Sequence, residues 1–130
     1  MLVGGAAPEG PGCFYPPTVL ADVPPGAVIL REEVFAPVAP VVVVDGEDEA
    51  VAAANDTPHG LVSYVYSRDL ARALRVGERL EAGMVAVNRG LVSDPAAPFG
   101  GVKESGLGRE GSKYGIEDYL EIKYVLLGGL

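Results

Sequence analysis

The residues able to carry covalent chemistry are few in this chain. The only thiol is Cys13, in the stretch Gly-Pro-Gly-Cys-Phe-Tyr-Pro. No cation neighbours it in the sequence and no helix begins there, so nothing local would stabilise the thiolate that a nucleophilic cysteine needs. The only histidine, His59, has no second histidine or cysteine pair nearby, which supports neither a metal site nor a catalytic triad. We therefore expect Cys13 to be an incidental loop residue, and we predict no catalytic and no metal-binding residue in the chain.

A second feature is the segment from Pro98 to Tyr124, called here the glycine-rich stretch. Six glycines lie between residues 99 and 115, which is unfavourable for a helix. The aromatic and aliphatic residues between them are equally untypical of a flexible linker. We predict an ordered loop that closely approaches other backbone or a ligand, followed by a docking segment. The run Gly106–Gly111 resembles a dinucleotide fingerprint, but no strand precedes it, so we expect no phosphate-binding role.

Three strands are expected to position these residues. Val38–Val44 is almost continuously β-branched and apolar, a pattern typical of a strand covered on both faces. Leu61–Tyr66 and Met84–Val87 are the next two, and the long loop 88–97 follows the last of them. Ligands of open α/β sheets bind at such carboxyl ends. The alternation with helices predicts an α/β fold with an open, mostly parallel sheet and flanking helices.

Two helices connect the predicted strands. The first runs from Asp45, a plausible N-cap, to residue 55, with acids in its first turn. The second is predicted to be capped by Ser67, with Leu70, Ala73 and Leu74 on its apolar face and the arginines facing away.

Composition excludes several classes of protein. The net charge of −8 argues against nucleic-acid binding, which needs cations to neutralise phosphates. No apolar run approaches the length of a membrane span, and the N-terminus lacks the features of a signal peptide. A single cysteine cannot form an internal disulfide, so we expect a cytoplasmic protein. The hydrophobic fraction of 48% suggests a face that something else covers.

The chain resembles the aldehyde dehydrogenases, and in particular the succinate-semialdehyde dehydrogenase type. The glycine-rich stretch, PFGGVKESGLGREGSKYGIEDYLEIKYV, resembles the C-terminal end of such an enzyme. The blocks GCFYPPTVLADVP, REEVFAPVAPVVVV, NDTPHGLVSYVYSRDLARA and GMVAVNRGLVSDPAAPFGG resemble successive family blocks in the same order. The resemblance covers about the last quarter of an enzyme of this family, whose nucleophilic cysteine and general-base glutamate belong to upstream blocks. Cys13 matches neither of them.

The resemblance implies a cofactor, NAD or NADP. Glu33 matches the family's Glu-x-Phe-Gly-Pro block, whose glutamate holds the hydroxyls of the nicotinamide ribose, and two carboxylate oxygens can accept both hydroxyl protons. Phe35 matches the aromatic residue behind the nicotinamide ring, and core packing is the alternative role. Ala36 stands where the family usually has glycine, which adds a methyl group to a tight loop.

The resemblance also implies substrate contacts. Ser93 matches the serine that binds the distal carboxylate of succinate semialdehyde, and a simple turn role is the alternative. Phe99 matches an aromatic wall of the aldehyde tunnel, with core packing again as the alternative. The charge of that carboxylate must be met mainly by arginine; Arg89 lies in the same loop, although the family match gives it no such role.

The resemblance further implies that the apolar segment Tyr119–Leu127 forms a strand that pairs with a neighbouring subunit. We expect residues 1–118 to be the C-terminal part of a catalytic domain and residues 119–130 an oligomerisation strand, giving a homo-oligomer. The first hypothesis is the C-terminal part of an NAD(P)-dependent aldehyde dehydrogenase that acts on a small carboxylated aldehyde and is inactive as an isolated chain. The alternative is a non-catalytic assembly module that self-associates or docks onto a full-length homologue.

Overall fold

A computed structural model describes residues 2–129 of the chain. Its eight regular elements are β1 (Thr18–Leu20), β2 (Val38–Pro40), α1 (Glu47–Asn55), β3 (His59–Gly60), β4 (Val62–Val65), α2 (Leu70–Arg79), β5 (Met84–Val87) and β6 (Val102–Lys103). Two short 3-10 helices lie at Val28–Leu30 and Glu117–Tyr119. The chain divides into two units, Met1–Pro58 and His59–Leu130, and each is described separately.

In the first unit, β1 and β2 form a parallel pair in the register Thr18–Val38 to Leu20–Pro40. Thr18 is buried and organises the irregular lead-in: its Oγ accepts the Gly5 N–H and donates to the Pro16 carbonyl, both at 2.9 Å. Only three residues of the predicted strand Val38–Val44 are strand, and Val43 is 72% exposed. Val42 and Val44 are half-buried and share a cavity lining with Ala53 and Ala54 of the helix at residues 47–55, whereas Val41 is exposed like Val43. The prediction of cover on both faces is therefore wrong within the first unit, where one face of this segment stays exposed.

Helix α1 starts later than predicted. Gly46, not Asp45, is the N-cap residue, and it has no side chain with which to cap the helix. The carboxylate of Glu49 instead accepts the Asp45 N–H at 2.8 Å. The predicted acids, Glu47, Asp48 and Glu49, do lie in the first turn, where their negative charges interact favourably with the positive end of the helix dipole. Val51 is the buried residue of α1.

In the second unit, β4 and β5 pair in parallel, from Val62–Met84 to Val65–Val87, and α2 connects them. This confirms the predicted strand-helix-strand order here. The predicted crossover from Val38–Val44 to Leu61–Tyr66 links the two units and remains a prediction. Antiparallel β3 and β6 form the remaining pair. The mostly parallel character is confirmed, but the described strands form three separate pairs.

Helix α2 is capped by Asp69, whose Oδ1 accepts the Arg72 N–H at 3.1 Å. The prediction of Ser67 as the cap was therefore wrong by two residues; its Oγ accepts the Asp69 N–H instead. Ala73 is completely buried, whereas Leu70 and Leu74 are more than half exposed. Of the three residues of the predicted apolar face, only Ala73 is therefore buried.

The terminal segment does not form the predicted strand within this chain. Glu117–Tyr119 is a 3-10 helix, and residues 120–129 have no regular secondary structure and are exposed. A strand needs a partner edge for its N–H and C=O groups, and no described strand of the second unit pairs with this segment. Pairing of the segment with a second subunit, and the division 1–118 and 119–130, remain predictions.

Candidate functional site

The segment that carries Glu33 and Phe35 follows the first 3-10 helix. The amides of Arg31 and Glu32 both donate to the Val28 carbonyl, at 2.9 and 3.0 Å, and close that turn. Residues 33–35 beyond it have no regular secondary structure, the chain then turns at Ala36, whose carbonyl accepts the Val38 N–H at 2.7 Å, and Phe35 is 95% exposed. The Glu33 carboxylate is also exposed and has no ion-pair or hydrogen-bond partner among residues 2–129.

These two residues fit the nicotinamide end of a dinucleotide. A carboxylate without a partner can accept the two vicinal hydroxyl protons of a ribose. A bare phenyl ring offers a flat apolar surface on which an aromatic ring stacks. Core packing of Phe35, the alternative weighed from the sequence, is not seen in the first unit. The assignments of Glu33 and Phe35 to the cofactor remain predictions.

A cavity of about 350 Å³ lies in the second unit, alongside β5 and the loop that follows it. Asn88 turns the chain there: its φ is +53°, its N–H donates to the Val65 carbonyl, and its side chain hydrogen-bonds the backbone of Ser67. The loop that follows borders the cavity, which is lined by Gly83–Val87 together with Arg89, Leu91–Asp94, Ala97 and Pro98. The loop after this strand thus forms part of the lining, and ligand binding there remains a prediction.

Ser93 is exposed and lines this cavity, as does Arg89. Phe99 is half-buried and lines the neighbouring cavity of about 290 Å³. Ser93 and Arg89 thus line one cavity, and Phe99 lines the other. Glu33 and Phe35 belong to the other unit, so their relation to Ser93 and Phe99 remains a prediction.

The glycine-rich stretch approaches other backbone closely, as predicted. Phe99 and Glu110 exchange two backbone hydrogen bonds of 2.8 Å. A Cβ added at Gly83 would collide with the carbonyl oxygen of Gly100. Gly111 has a φ of +68°, a conformation that glycine adopts at little cost.

Arg109 holds this loop from within. Its Nη1 donates to the carbonyls of Gly101 and Gly108, at 2.7 and 2.6 Å, while its backbone N–H donates to Asp118. Sequence reasoning missed this role, and it missed Asn88 as well. A lone arginine among glycines, and an asparagine directly after a buried strand, are the signals that point to them.

Cys13 is exposed, in agreement with a loop residue. Among residues 2–129, no group of three or more histidines, cysteines and acids is placed to hold a metal ion. No helix within the same residues is long and apolar enough to cross a bilayer.

The sequence profile of the Aldehyde dehydrogenase family matches residues 1–125. The chain belongs to the aldehyde dehydrogenase family. The glutarate-semialdehyde dehydrogenase of Pseudomonas aeruginosa is 58% identical over 99% of this chain, and the match takes up 27% of that enzyme. The Escherichia coli succinate-semialdehyde dehydrogenase [NADP(+)] GabD is 56% identical over 98% of this chain and 27% of its own length.

A solved structure has the same fold over the matched part. The crystal structure of an Escherichia coli NADP-dependent enzyme superposes with a TM-score of 0.91 at 56% identity, over 98% of this chain and 26% of that one. The chain thus spans about a quarter of the length of the aldehyde dehydrogenases that it matches, and the predicted family resemblance is confirmed.

The exposed surface of the chain is larger than that of a compact monomer of the same mass. The chain exposes 10153 Å², whereas a compact folded monomer of 13.4 kDa exposes about 6,500 Å². Large apolar side chains contribute to the excess, including Phe14, Phe35, Val43 and most of residues 119–127. The high apolar fraction of the sequence therefore corresponds to surface left uncovered within this chain.

Proposed function

We propose that these 130 residues form the part of an NAD(P)-dependent aldehyde dehydrogenase that contacts the nicotinamide end of the cofactor and the mouth of the substrate site. The substrate is succinate semialdehyde or a similar small carboxylated aldehyde, which is oxidised to the dicarboxylic acid. The main support for this proposal is the 56–58% sequence identity to two semialdehyde dehydrogenases over 98–99% of the chain. Alignments of that extent include both the Glu33 segment and the Ser93 loop.

Glu33 and Phe35 would hold the cofactor. The Glu33 carboxylate accepts hydrogen bonds from the ribose hydroxyls, and the Phe35 ring backs the nicotinamide. NAD or NADP supplies the hydride acceptor for the oxidation. The methyl group of Ala36 narrows the turn beside Phe35 and so influences how the ring is presented. Nothing in Glu33 or Phe35 distinguishes NAD from NADP, since both contact the half of the molecule that the two cofactors share.

Ser93 and Phe99 would serve the substrate. The Ser93 hydroxyl donates to the distal carboxylate of the aldehyde, and Phe99 provides an apolar wall along its carbon chain. The cavity of about 350 Å³ beside Ser93 lies within the size range of small-molecule sites. A buried carboxylate costs free energy unless hydrogen bonds and a counter-charge meet it.

The isolated chain is proposed to be inactive. Oxidation of an aldehyde through a thioester needs a thiolate that attacks the carbonyl carbon and a base that activates water for release of the acid. Cys13 is exposed to solvent in the first unit, and no cation among its sequence neighbours would stabilise a thiolate. In an assembled enzyme, residues 119–130 would pair with a second subunit in the cytoplasm.

A chimera tests this function. Residues 1–130 replace the matching part of the Escherichia coli GabD enzyme, and NADPH formation is measured with succinate semialdehyde. We expect activity, and we expect the Glu33→Gln variant to raise the KM for the cofactor about tenfold, since one charge-assisted hydrogen-bond acceptor is weakened. Glu32→Gln, beside it in the same exposed segment, is the matched control. A folded chimera without activity would refute the proposal.

The exposed apolar surface favours a second function, that of a non-catalytic assembly module. Such a chain would self-associate or dock onto a full-length homologue, because burial of apolar surface drives association. Co-purification with an intact aldehyde dehydrogenase, without any change in its activity, would support this alternative.

A further inference from the structure

We propose that Lys103 is a positioning residue for the aldehyde site, because its ion pair with Glu81 fixes the Phe99 ring as the apolar wall along the substrate. This inference rests on the proposed function, since it requires Phe99 to contact the aldehyde. Lys103 Nζ lies 2.7 Å from Glu81 Oε2, and the two side chains are 25% and 59% exposed. A partly buried pair of this kind is screened less by salt than a fully exposed one.

The ion pair lies beside a close backbone contact in the second unit. Gly83 approaches the Gly100 carbonyl so closely that a Cβ on Gly83 would collide with the oxygen. Glu81 lies two residues before Gly83, and Lys103 lies three residues after Gly100. The ion pair therefore links the two segments that make this contact. Phe99 directly precedes Gly100, so any change in the separation of the two segments moves the Phe99 backbone.

The backbone at Lys103 is held in an unfavourable conformation. Its φ is +55°, in the left-handed region, which residues other than glycine adopt only where the surrounding structure imposes it. The turn is closed by the Ser105 N–H, which donates to the Val102 carbonyl at 3.2 Å, while Ser105 Oγ accepts the Gly60 N–H at 2.9 Å. Glycine at position 103 would relieve the backbone, but it would lose the ion pair.

The segment that carries Phe99 is attached on two sides. On one side, Phe99 exchanges two backbone hydrogen bonds of 2.8 Å with Glu110. On the other side, the pair of Lys103 and Glu81 fixes the segment against the turn that precedes β5. Loss of the ion pair releases one attachment and leaves the other, so the unit stays folded but the Phe99 ring is no longer held in one position. We therefore expect an effect on the aldehyde and none on the cofactor, whose proposed contacts lie in the first unit.

The first test is fluorine nuclear magnetic resonance of the chain with fluorophenylalanine at its three phenylalanines, the Phe99 signal being assigned by its loss in Phe99→Leu. We expect Glu81→Gln, which is distant from Phe99 in sequence, to shift or broaden the Phe99 signal and to leave the signals of Phe14 and Phe35 unchanged. Glu78→Gln, an exposed acid of α2, is the matched control and should change none of the three. An unchanged Phe99 signal in Glu81→Gln, or equal changes in all three signals, would overturn the inference.

The second test uses the active chimera and does not depend on the isolated chain. Lys103→Met should raise the KM for succinate semialdehyde about fivefold, equivalent to about 1 kcal/mol, and leave the KM for the cofactor unchanged. Lys103→Arg keeps the charge and should restore most of the difference, whereas Lys103→Gly should resemble Lys103→Met. An unchanged KM for the aldehyde, or an equal rise in both KM values, would refute the positioning role of Lys103. A folded but inactive chimera with Lys103 in place would refute the proposed function instead.

Discussion

The side-chain amide of Asn88 and the backbone of Ser67 form a closed pair of hydrogen bonds. Asn88 Nδ2 donates to the Ser67 carbonyl and the Ser67 N–H donates to Asn88 Oδ1, each over 2.9 Å. The two residues follow β5 and β4 respectively, so one side chain ties together the carboxyl ends of both parallel strands. The edge of the sheet that carries the candidate substrate loop is thereby fixed.

Removal of this tie should destabilise the second unit. Asn88→Ala loses two exposed hydrogen bonds and places alanine at a φ of +53°, which together should cost about 1–3 kcal/mol. Asn88→Gly separates the two effects, since glycine tolerates the backbone angle but lacks the amide. Urea unfolding followed by circular dichroism measures both. An Asn88→Ala midpoint equal to that of the parent chain would contradict this role.

Arg109 should control the order of the glycine-rich loop. Arg109→Met loses both donations to the Gly101 and Gly108 carbonyls and should accelerate hydrogen exchange at the Phe99 and Glu110 amides about tenfold, because a charged donor contributes about 1.5–3 kcal/mol. Arg109→Lys keeps one charged nitrogen and should show a smaller effect. Equal exchange rates in the parent chain and Arg109→Met would show that the Phe99–Glu110 pairing does not depend on Arg109.

Substitution by alanine should have opposite effects on stability at Gly83 and Gly77, because only Gly83 closely approaches another backbone segment. Gly83→Ala would force its Cβ into the Gly100 carbonyl and should destabilise by about 2 kcal/mol or more. At Gly77, inside α2, a Cβ would meet only Val85 at 3.5 Å, so Gly77→Ala should stabilise by about 0.5–1 kcal/mol through helix propensity. Thermal unfolding measures the stability of both variants. A Gly83→Ala protein as stable as the parent would contradict the close approach of Gly83 to the Gly100 carbonyl.

The purified chain should form no NADH or NADPH with succinate semialdehyde. The reason is that Cys13, its only thiol, lies exposed in a loop. Cofactor absorbance measures the rate, with Cys13→Ser as the control. A signal in the parent chain that Cys13→Ser abolishes would mean that the chain is a catalyst by itself.

The terminal segment should drive self-association. Ile122 and Leu107 are both 100% exposed, but only Ile122 lies in the proposed oligomerisation strand. Light scattering should show an assembly that Ile122→Glu weakens and Leu107→Glu does not. If the two substitutions weaken it equally, general apolar contact rather than strand pairing holds the copies together.

The sequence predicted the elements whose signals are local. Met84–Val87 was predicted to the residue, and the acids of the α1 first turn lie where expected. Errors arose where a covering layer or partner edge was assumed: Val38–Val44 is mostly not strand, and residues 120–129 have no strand partner in this chain. A run of apolar residues indicates a segment that is stabilised by burial, but it does not indicate which chain packs against it.

In the candidate site, too, the features with local sequence signals were predicted and those that depend on distant segments were not. The strand order indicated the loop after β5, which forms part of the cavity lining, and Ser93 followed from the family resemblance. The paired hydrogen bonds of Asn88 and the two carbonyls bound by Arg109 depend on distances between segments far apart in sequence. No periodicity encodes such distances, so these contacts needed coordinates.

The uncovered apolar side chains also decide what would happen to this polypeptide if released alone from a ribosome. Holdase chaperones and proteases recognise such surface, and marginal folds are continuously sorted by them. Its lifetime in a cell would then be governed by how soon a complementary surface reaches it, and much less by the free energy of its own folding. An encounter rate, rather than an unfolding equilibrium, becomes the quantity that sets its abundance.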